Sequence, residues 1–138
     1  MPNKPADLCK EISLRALELE KTIAKLMKHQ NEVEEHILEL QRKKRKGEPI
    51  DEKLLADLKK VRKEAGNEIG LLSSERAELF NDLPTIEEAT GELKVVASEL
   101  EKDANLVEKA AEKIQEATKK IQKAEKLIPK IISFIEKI

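Results

Sequence analysis

A seven-residue apolar repeat runs through the C-terminal part of the chain. One position of the repeat is large and aliphatic throughout: Ile86, Leu93, Leu100, Val107, Ile114, Ile121, Ile128 and Ile135. Its partner position is mostly small: Ala89, Val96, Asp103, Ala110, Ala117, Ala124, Ile131 and Ile138. A stripe that recurs every 3.5 residues stays on one helical face only when helices wind around each other with a left-handed supercoil. The repeat therefore predicts a long helix with coiled-coil packing.

Two breaks divide the rest of the chain. Gly47 suits the left-handed residue that follows a helix, and Asp51 suits the N-cap of the next helix. At the second break, Thr85 and Glu88 have the spacing of a capping box. These signals predict three helices after an N-terminal tail of residues 1–4, at residues 5–46, 51–81 and 85–138.

Composition agrees with long helices rather than with a compact core. Charged residues make up 40% of the 138 residues and aromatic residues 1%, whereas ordinary globular domains are about a quarter charged. Short loops between helices force neighbouring helices to run antiparallel. We therefore predict an all-α fold, a long antiparallel three-helix bundle with coiled-coil packing that forms a single domain over residues 5–138.

Three carboxylates interrupt the apolar stripes. Glu68 and Glu75 fall at stripe positions of the second helix, so we expect the register there to shift by one residue toward Ile69. A buried carboxylate without a partner is costly, so we expect Asp103 to be exposed at a local break or paired with a Lys or Arg. A break of the third helix near Asp103 would give a four-helix bundle instead.

Unequal helix lengths predict that two segments extend beyond the bundle. At about 1.5 Å per residue, the second helix returns along the first as far as Ala16, and the third reaches the first loop near residue 120. About the last eighteen residues of the third helix are then left without a partner in the bundle. The same is expected for the start of the first helix, which carries Leu8, Cys9, Ile12 and Leu14.

The C-terminal segment, residues 127–138, is rich in large apolar side chains. Pro129 lacks an amide hydrogen, so we expect it to kink or end the helix. Large exposed apolar patches commonly mark interaction surfaces. The segment therefore folds back over the bundle, packs on a second copy, or docks on another protein or a membrane. The candidate interaction residues are Leu127, Ile128, Ile131, Ile132, Phe134, Ile135 and Ile138.

A basic cluster ends the first helix, formed by Arg42, Lys43, Lys44, Arg45 and Lys46. We favour the interpretation that these cations complement the helix dipole and keep the tip solvated. Beside an amphipathic helix they also match proteins that bind anionic membrane surfaces. Nucleic-acid binding is less favoured, because no aromatic residue is interleaved for base stacking and the net charge is −1.

Three further features each have a structural and a functional interpretation. His29, Glu32 and His36 share one helical stripe, but no other helix offers a matching set of metal ligands, so we expect partly exposed histidines and no metal. A stripe of small residues follows the second helix, at Gly66, Gly70, Ser73 and Ala77. We expect close approach of the third helix there, with a docking groove for an outside helix or a soft point as alternatives. We expect Cys9 to act as a small hydrophobic residue.

The first two predicted helices resemble the antiparallel coiled-coil arm of seryl-tRNA synthetases. The resemblance rests on the break Lys46-Gly47-Glu48-Pro49 and the ending Asn81-Asp82-Leu83-Pro84 and covers about half of the chain. It implies a helical hairpin. No synthetase catalytic sequence follows, and the third helix does not fit that family, so no membership is inferred.

The motifs favour binding over catalysis. The sequence suggests no nucleophile–base arrangement and has no Gly-rich phosphate loop, so we expect no enzymatic activity, no cofactor and no small-molecule substrate. The leading hypothesis is a non-enzymatic interaction or scaffold protein that self-associates, as a homodimer or larger, through its apolar overhangs, or binds another helical protein. Peripheral binding to an anionic membrane is the first alternative and nucleic-acid binding the second. A single cysteine and the lack of an apolar leader predict a cytoplasmic location.

Overall fold

The computed structural model describes residues 5–82 and 104–138. They form three helices: α1 (Pro5–Arg45), α2 (Glu52–Asp82) and α3 (Ala104–Glu136). The helices pack against one another in all three pairs, and no strand occurs in the described residues. The predicted all-α three-helix bundle is therefore confirmed. The capping box of Thr85 and Glu88, the predicted helix start at 85, and Asp103 with its four-helix alternative lie outside the described residues.

The first loop follows from two residues whose roles the sequence predicts. Gly47 adopts a φ of 80°, and its amide donates to the carbonyl oxygen of Lys44 while the Glu48 amide donates to that of Lys43, both at 3.0 Å. This is the Schellman arrangement that ends a helix with a left-handed residue. The Asp51 carboxylate accepts from the amide of Leu54 at 3.0 Å, so Asp51 caps α2 as expected.

Ion pairs between helices define their relative direction. Three ion pairs join α1 to α2: Glu20–Arg76 at 3.7 Å, Glu34–Arg62 at 2.6 Å and Lys44–Glu52 at 3.1 Å. From the first pair to the last, the residue number rises in α1 and falls in α2. The same inverse order relates α2 to α3 in Glu64–Lys130 at 3.2 Å, Glu68–Lys123 at 3.1 Å and Glu75–Lys120. Both α1 and α3 therefore run antiparallel to α2, and they run parallel to each other.

One wall of the core is formed by the stripe that alternating spacings of three and four residues predict on α1: Cys9, Ile12, Ala16, Leu19, Ile23, Leu26, Gln30, Val33, Ile37 and Leu40. Eight of its ten members are buried, and Ile23 and Gln30 are half-buried. Facing it, α3 contributes Ala110, Ala117 and Ala124 in alternation with large aliphatic residues. Small side chains at every second core position let the axes of α1, α2 and α3 approach closely.

Neither predicted overhang exists. Because Glu75 and Arg76 are adjacent, their ion pairs place Lys120 of α3 at the level of Glu20 of α1, far from the first loop. The remaining residues of α3 therefore run alongside α1 and α2 toward that loop. At the other end, Leu8, Cys9 and Ile12 are buried, and only Leu14 of that group is exposed.

The C-terminal segment belongs to the core. Leu127 and Ile131 are buried within the main hydrophobic cluster, and Ile128, Phe134 and Ile135 pack against it. Nor does the helix end at Pro129, since α3 is continuous to Glu136. Pro129 is exposed, so its ring points away from the seam that the neighbouring helices fill. The expectation that this segment lacks a partner in its own bundle is therefore wrong.

Candidate interaction surfaces

The basic cluster is exposed, and two of its five cations are paired locally. Arg42 donates to both carboxylate oxygens of Glu39, at 2.7 and 2.5 Å. This contact lowers the pKa of the Glu39 carboxyl and raises the pKa of the Arg42 guanidinium. Lys44 lies 3.1 Å from a carboxylate oxygen of Glu52. Lys43, Arg45 and Lys46 have no ion-pair partner within residues 5–82 and 104–138, and they carry the uncompensated charge of the tip.

Next to this cluster lies a shallow groove of about 400 Å³ between α1 and α2. Its residues are Leu38, Gln41, Lys44, Arg45, Leu55 and Lys59. Leu55 is buried at its base, whereas Leu38 is 52% exposed. The groove thus combines an apolar floor with a cationic rim, an arrangement that suits an acidic amphipathic ligand.

The candidate residues of the C-terminal segment are divided between core and surface. Leu127 and Ile131 are core residues, so they are not available as a surface in the folded bundle. Ile128, Ile132, Phe134 and Ile135 are half-buried, and Ile138 is exposed. The ammonium of Lys137 lies 5.1 Å from the centre of the Phe134 ring, a cation–π distance.

Two buried carboxylates form a polar part of the α2 seam. Glu68 is 7% exposed and Glu75 is 5% exposed. The expected shift of register toward Ile69 does not occur, because the spacing of threes and fours passes straight through both. The buried positions of α2 in the described structure are Leu55, Leu58, Val61, Ala65, Glu68, Leu72, Glu75 and Leu79. Sequence reasoning missed this arrangement, although the unbroken spacing signals it.

Lysines of α3 compensate the two carboxylates. Lys120 donates to Oε1 of Glu75, and Lys123 lies 3.1 Å from Oε1 of Glu68. The Oε2 atom of each glutamate is buried and accepts no hydrogen bond within the described residues. The interface of α2 with α3 is thus held partly by incompletely satisfied ion pairs, which are weak evidence for stability but constrain how the helices align.

A second groove, of about 420 Å³, follows these pairs between α2 and α3. It is lined by Glu64, Asn67, Glu68, Lys123, Lys126, Leu127 and Lys130. Lys130 donates to Glu64 at 3.2 Å, so most of the charge in the groove is already used within the bundle. Its side chains serve the packing of α3 on α2.

Gly66 accommodates α1 rather than α3. The Gln30 side-chain amide donates to the backbone carbonyl of Arg62 at 3.2 Å, and its nitrogen would lie 3.1 Å from a Cβ atom at position 66. The predicted close approach of α3 to this stripe is therefore wrong. Gly70 has no atom within 4 Å of the corresponding point, and Ser73 and Ala77 are exposed like it. The docking-groove and soft-point interpretations of the stripe stay predictions.

An exposed line of side chains runs along α1, and sequence reasoning did not identify it. Leu17, Ala24, Asn31 and Leu38 occur seven residues apart and are all exposed, and Met27 lies beside Ala24 on the same face. We call these five residues the outer stripe. Its three large members are 46%, 50% and 52% exposed. The repeat was visible in the sequence, but its exposure depends on where α2 and α3 pack.

The two histidines and Cys9 are the remaining candidate residues, and their surroundings indicate structural roles. His29 and His36 are half-buried, and Nδ1 of His29 lies 3.4 Å from a carboxylate oxygen of Glu32. In the part of the chain that the structure describes, no three His, Cys, Asp or Glu side chains gather closely enough to hold a metal ion. Cys9 is buried, and burial raises the pKa of its thiol.

None of the helices within residues 5–82 and 104–138 has the length and apolar character needed to cross a membrane. Comparison with known proteins gave no matching family model, no matching curated protein and no matching solved structure.

Proposed function

We propose that the protein is a non-enzymatic interaction protein that binds helical protein chains through the outer stripe of α1. The observation that carries the proposal is the exposure of Leu17, Met27 and Leu38 by about half each along one face of a helix whose other face is fully packed. Apolar side chains aligned on a helix surface are the usual anchors of helix-to-helix recognition.

The two grooves support binding rather than catalysis. One is lined largely by lysines and by glutamates engaged in ion pairs. The other has an apolar floor with a cationic rim. Catalysis needs a nucleophile or a base held within reach of a substrate in a concave site, and neither set of lining residues supplies that combination. A cytoplasmic location is part of the proposal and rests on the single cysteine, which is buried.

Photo-crosslinking tests the proposal directly. A photoreactive amino acid replaces Met27 in one variant and Leu71 of α2, which is 42% exposed, in the control. The expected result is a protein adduct from position 27 in an extract of the source cells, much weaker from position 71, and weakened by the second change Leu38→Lys. Equal adducts from both positions, or none from position 27, would overturn the proposal.

Binding to an anionic membrane is the second candidate, and one observation favours it. Lys43, Arg45 and Lys46 lie at the end of the bundle toward which the C-terminal segment runs, where Ile138 is exposed. Cations next to apolar side chains are the combination that anionic lipid surfaces attract. Flotation with vesicles rich in phosphatidylserine at low salt should then retain the wild-type chain. It should release a variant with all three cations changed to Gln. Failure of the wild type to float excludes this candidate.

A further inference from the structure

We infer that the outer stripe binds a second copy of the same chain, with the two α1 helices antiparallel and a twofold axis near Met27. The inference rests on the proposed function and names its partner. A twofold contact requires a patch that is complementary to itself, because each residue then meets its counterpart in reverse order. Two properties of α1 meet this requirement: the spacing of its exposed apolar residues and the charges beside them.

The large side chains of the outer stripe are placed almost symmetrically about Met27. Leu17 precedes Met27 by ten residues, and Leu38 follows it by eleven. In an antiparallel pair centred at Met27, Leu17 of each copy therefore lies opposite Leu38 of the other, and the two Met27 side chains meet at the axis. Ala24 lies opposite Asn31 in the same alignment, so a small side chain leaves room for a polar one.

Charged residues beside the stripe favour the same alignment. Lys21, Lys28 and Glu35 are exposed and recur at one heptad position next to the stripe. Antiparallel alignment places Lys21 of each copy beside Glu35 of the other, which gives two attractive pairs. Lys28 meets its own counterpart near the axis, which gives a repulsive pair. Glu20 and Glu34, seven residues on either side of Met27, also approach each other across the two copies, but each is already paired with an arginine of α2. In antiparallel coiled coils such flanking pairs select partner and direction.

The expected dimer is weak and depends on concentration. The contact extends from Leu17 to Leu38, about 32 Å of helix. Each copy contributes three large apolar side chains to it. Interfaces of this small size belong to the transient class. The bundle core does not depend on the contact, because the outer stripe is separate from the buried residues of α1.

Sedimentation velocity over a range of concentrations tests association, and charge exchange tests its geometry. The wild-type chain should shift from monomer to dimer as concentration rises. Leu17→Lys and Leu38→Lys should each weaken dimerisation by about tenfold or more, since each removes an apolar contact on both copies. Leu71→Lys on α2 should leave it unchanged. Lys21→Glu alone and Glu35→Lys alone should weaken the dimer, and the two changes combined should restore it.

Disulfide trapping distinguishes the two directions. In a Cys9→Ala background, a mixture of Leu17→Cys and Leu38→Cys chains should form mainly the mixed disulfide dimer, and Leu17→Cys chains alone should form little. Efficient trapping of Leu17→Cys chains with each other would overturn the antiparallel arrangement.

A wild-type chain that stays monomeric at all concentrations would overturn the inference altogether. The proposed function has a separate outcome, because a monomeric chain can still form adducts with another protein at position 27. Circular dichroism checks that each variant keeps its helix signal. The paired charge exchange separates loss of association from loss of fold, because the double variant must regain both the fold and the dimer.

Discussion

Replacing the buried Glu75 by leucine should stabilise the protein. Glu75 is 5% exposed and lies between Leu72 and Leu79 in the seam of α2. Its Oε1 atom is paired with Lys120, whereas its Oε2 atom is buried without a hydrogen-bond partner in the described structure. Removing a charge from this position removes its desolvation cost, and a leucine there extends an apolar seam that is otherwise continuous.

The magnitude follows from the balance of three contributions. Burying a leucine side chain contributes about 1.5–3 kcal/mol. The lost ion pair offsets only part of this gain, because Lys120 keeps 26% of its side chain exposed and can be solvated again. Removing the buried carboxylate also removes its desolvation cost, which adds to the gain. We therefore expect Glu75→Leu to raise the free energy of unfolding by about 1–3 kcal/mol.

The converse substitution should have the opposite effect. Lys120→Met leaves Glu75 buried without its counterion, and breaking a buried pair from one side costs about 3–5 kcal/mol. Because Lys120 keeps 26% of its side chain exposed, water reaches this position, and we expect a loss of unfolding free energy toward the lower end of that range. Urea denaturation followed by circular dichroism measures both changes. Glu78→Leu, at an exposed position one turn away, serves as the control and should lie within about 0.5 kcal/mol of wild type. A loss of stability in Glu75→Leu would refute the assignment of Glu75 to the seam.

Two further predictions concern α2 and Cys9. Gly70→Ala should raise the free energy of unfolding by up to about 1 kcal/mol, because a Cβ there meets no atom within 4 Å. Gly66→Ala should gain less or lose stability, because its Cβ would press on Gln30, and equal effects in urea denaturation would contradict this difference. Burial raises the pKa of the Cys9 thiol, so the folded chain should react slowly with a thiol reagent at neutral pH, and fast complete reaction would contradict its burial. The raised pKa also makes the free energy of unfolding depend on pH. The contribution of Cys9 should be fully present below the ordinary thiol pKa of about 8.5 and should be lost as pH rises through the higher folded-state pKa. Cys9→Ala should abolish this decline.

The sequence predicts the parts of this fold that depend on local pattern. The spacing of apolar residues identifies the buried face of α1, and Gly47 and Asp51 identify the first loop, because a left-handed residue and an N-cap have narrow chemical requirements. The opposing face of α3 follows from the same repeat. In each case the evidence lies within a few residues of the feature that it predicts.

The longitudinal register of α3 could not be predicted in the same way. A heptad repeat looks the same after a shift of seven residues, so apolar spacing alone does not fix where one helix lies along another. Helix lengths alone predict residue 120 at the first loop, whereas the ion pair with Glu75 places it more than three heptads away. The predicted overhangs were a consequence of that error.

The candidate surfaces depend on the same missing register. Glu68 and Glu75 look unsuitable for a seam when α2 is considered alone, and their burial becomes reasonable only when Lys123 and Lys120 lie opposite them. Likewise, the outer stripe is a surface only because α2 and α3 pack on other faces of α1. Such features arise from the arrangement of helices, which local sequence does not encode.

Substitution of Ile131 by aspartate, compared with the same change at Ile138, tests most directly whether the C-terminal segment completes the core. Ile131 is 0% exposed and Ile138 is 47% exposed. Urea denaturation should show a loss of more than about 3 kcal/mol for Ile131→Asp, because the new carboxylate is buried without a partner, and a change of at most about 1 kcal/mol for Ile138→Asp. An Ile131→Asp chain with wild-type stability that has merely lost the ability to associate would contradict the structure, because it would make the segment an exposed docking element.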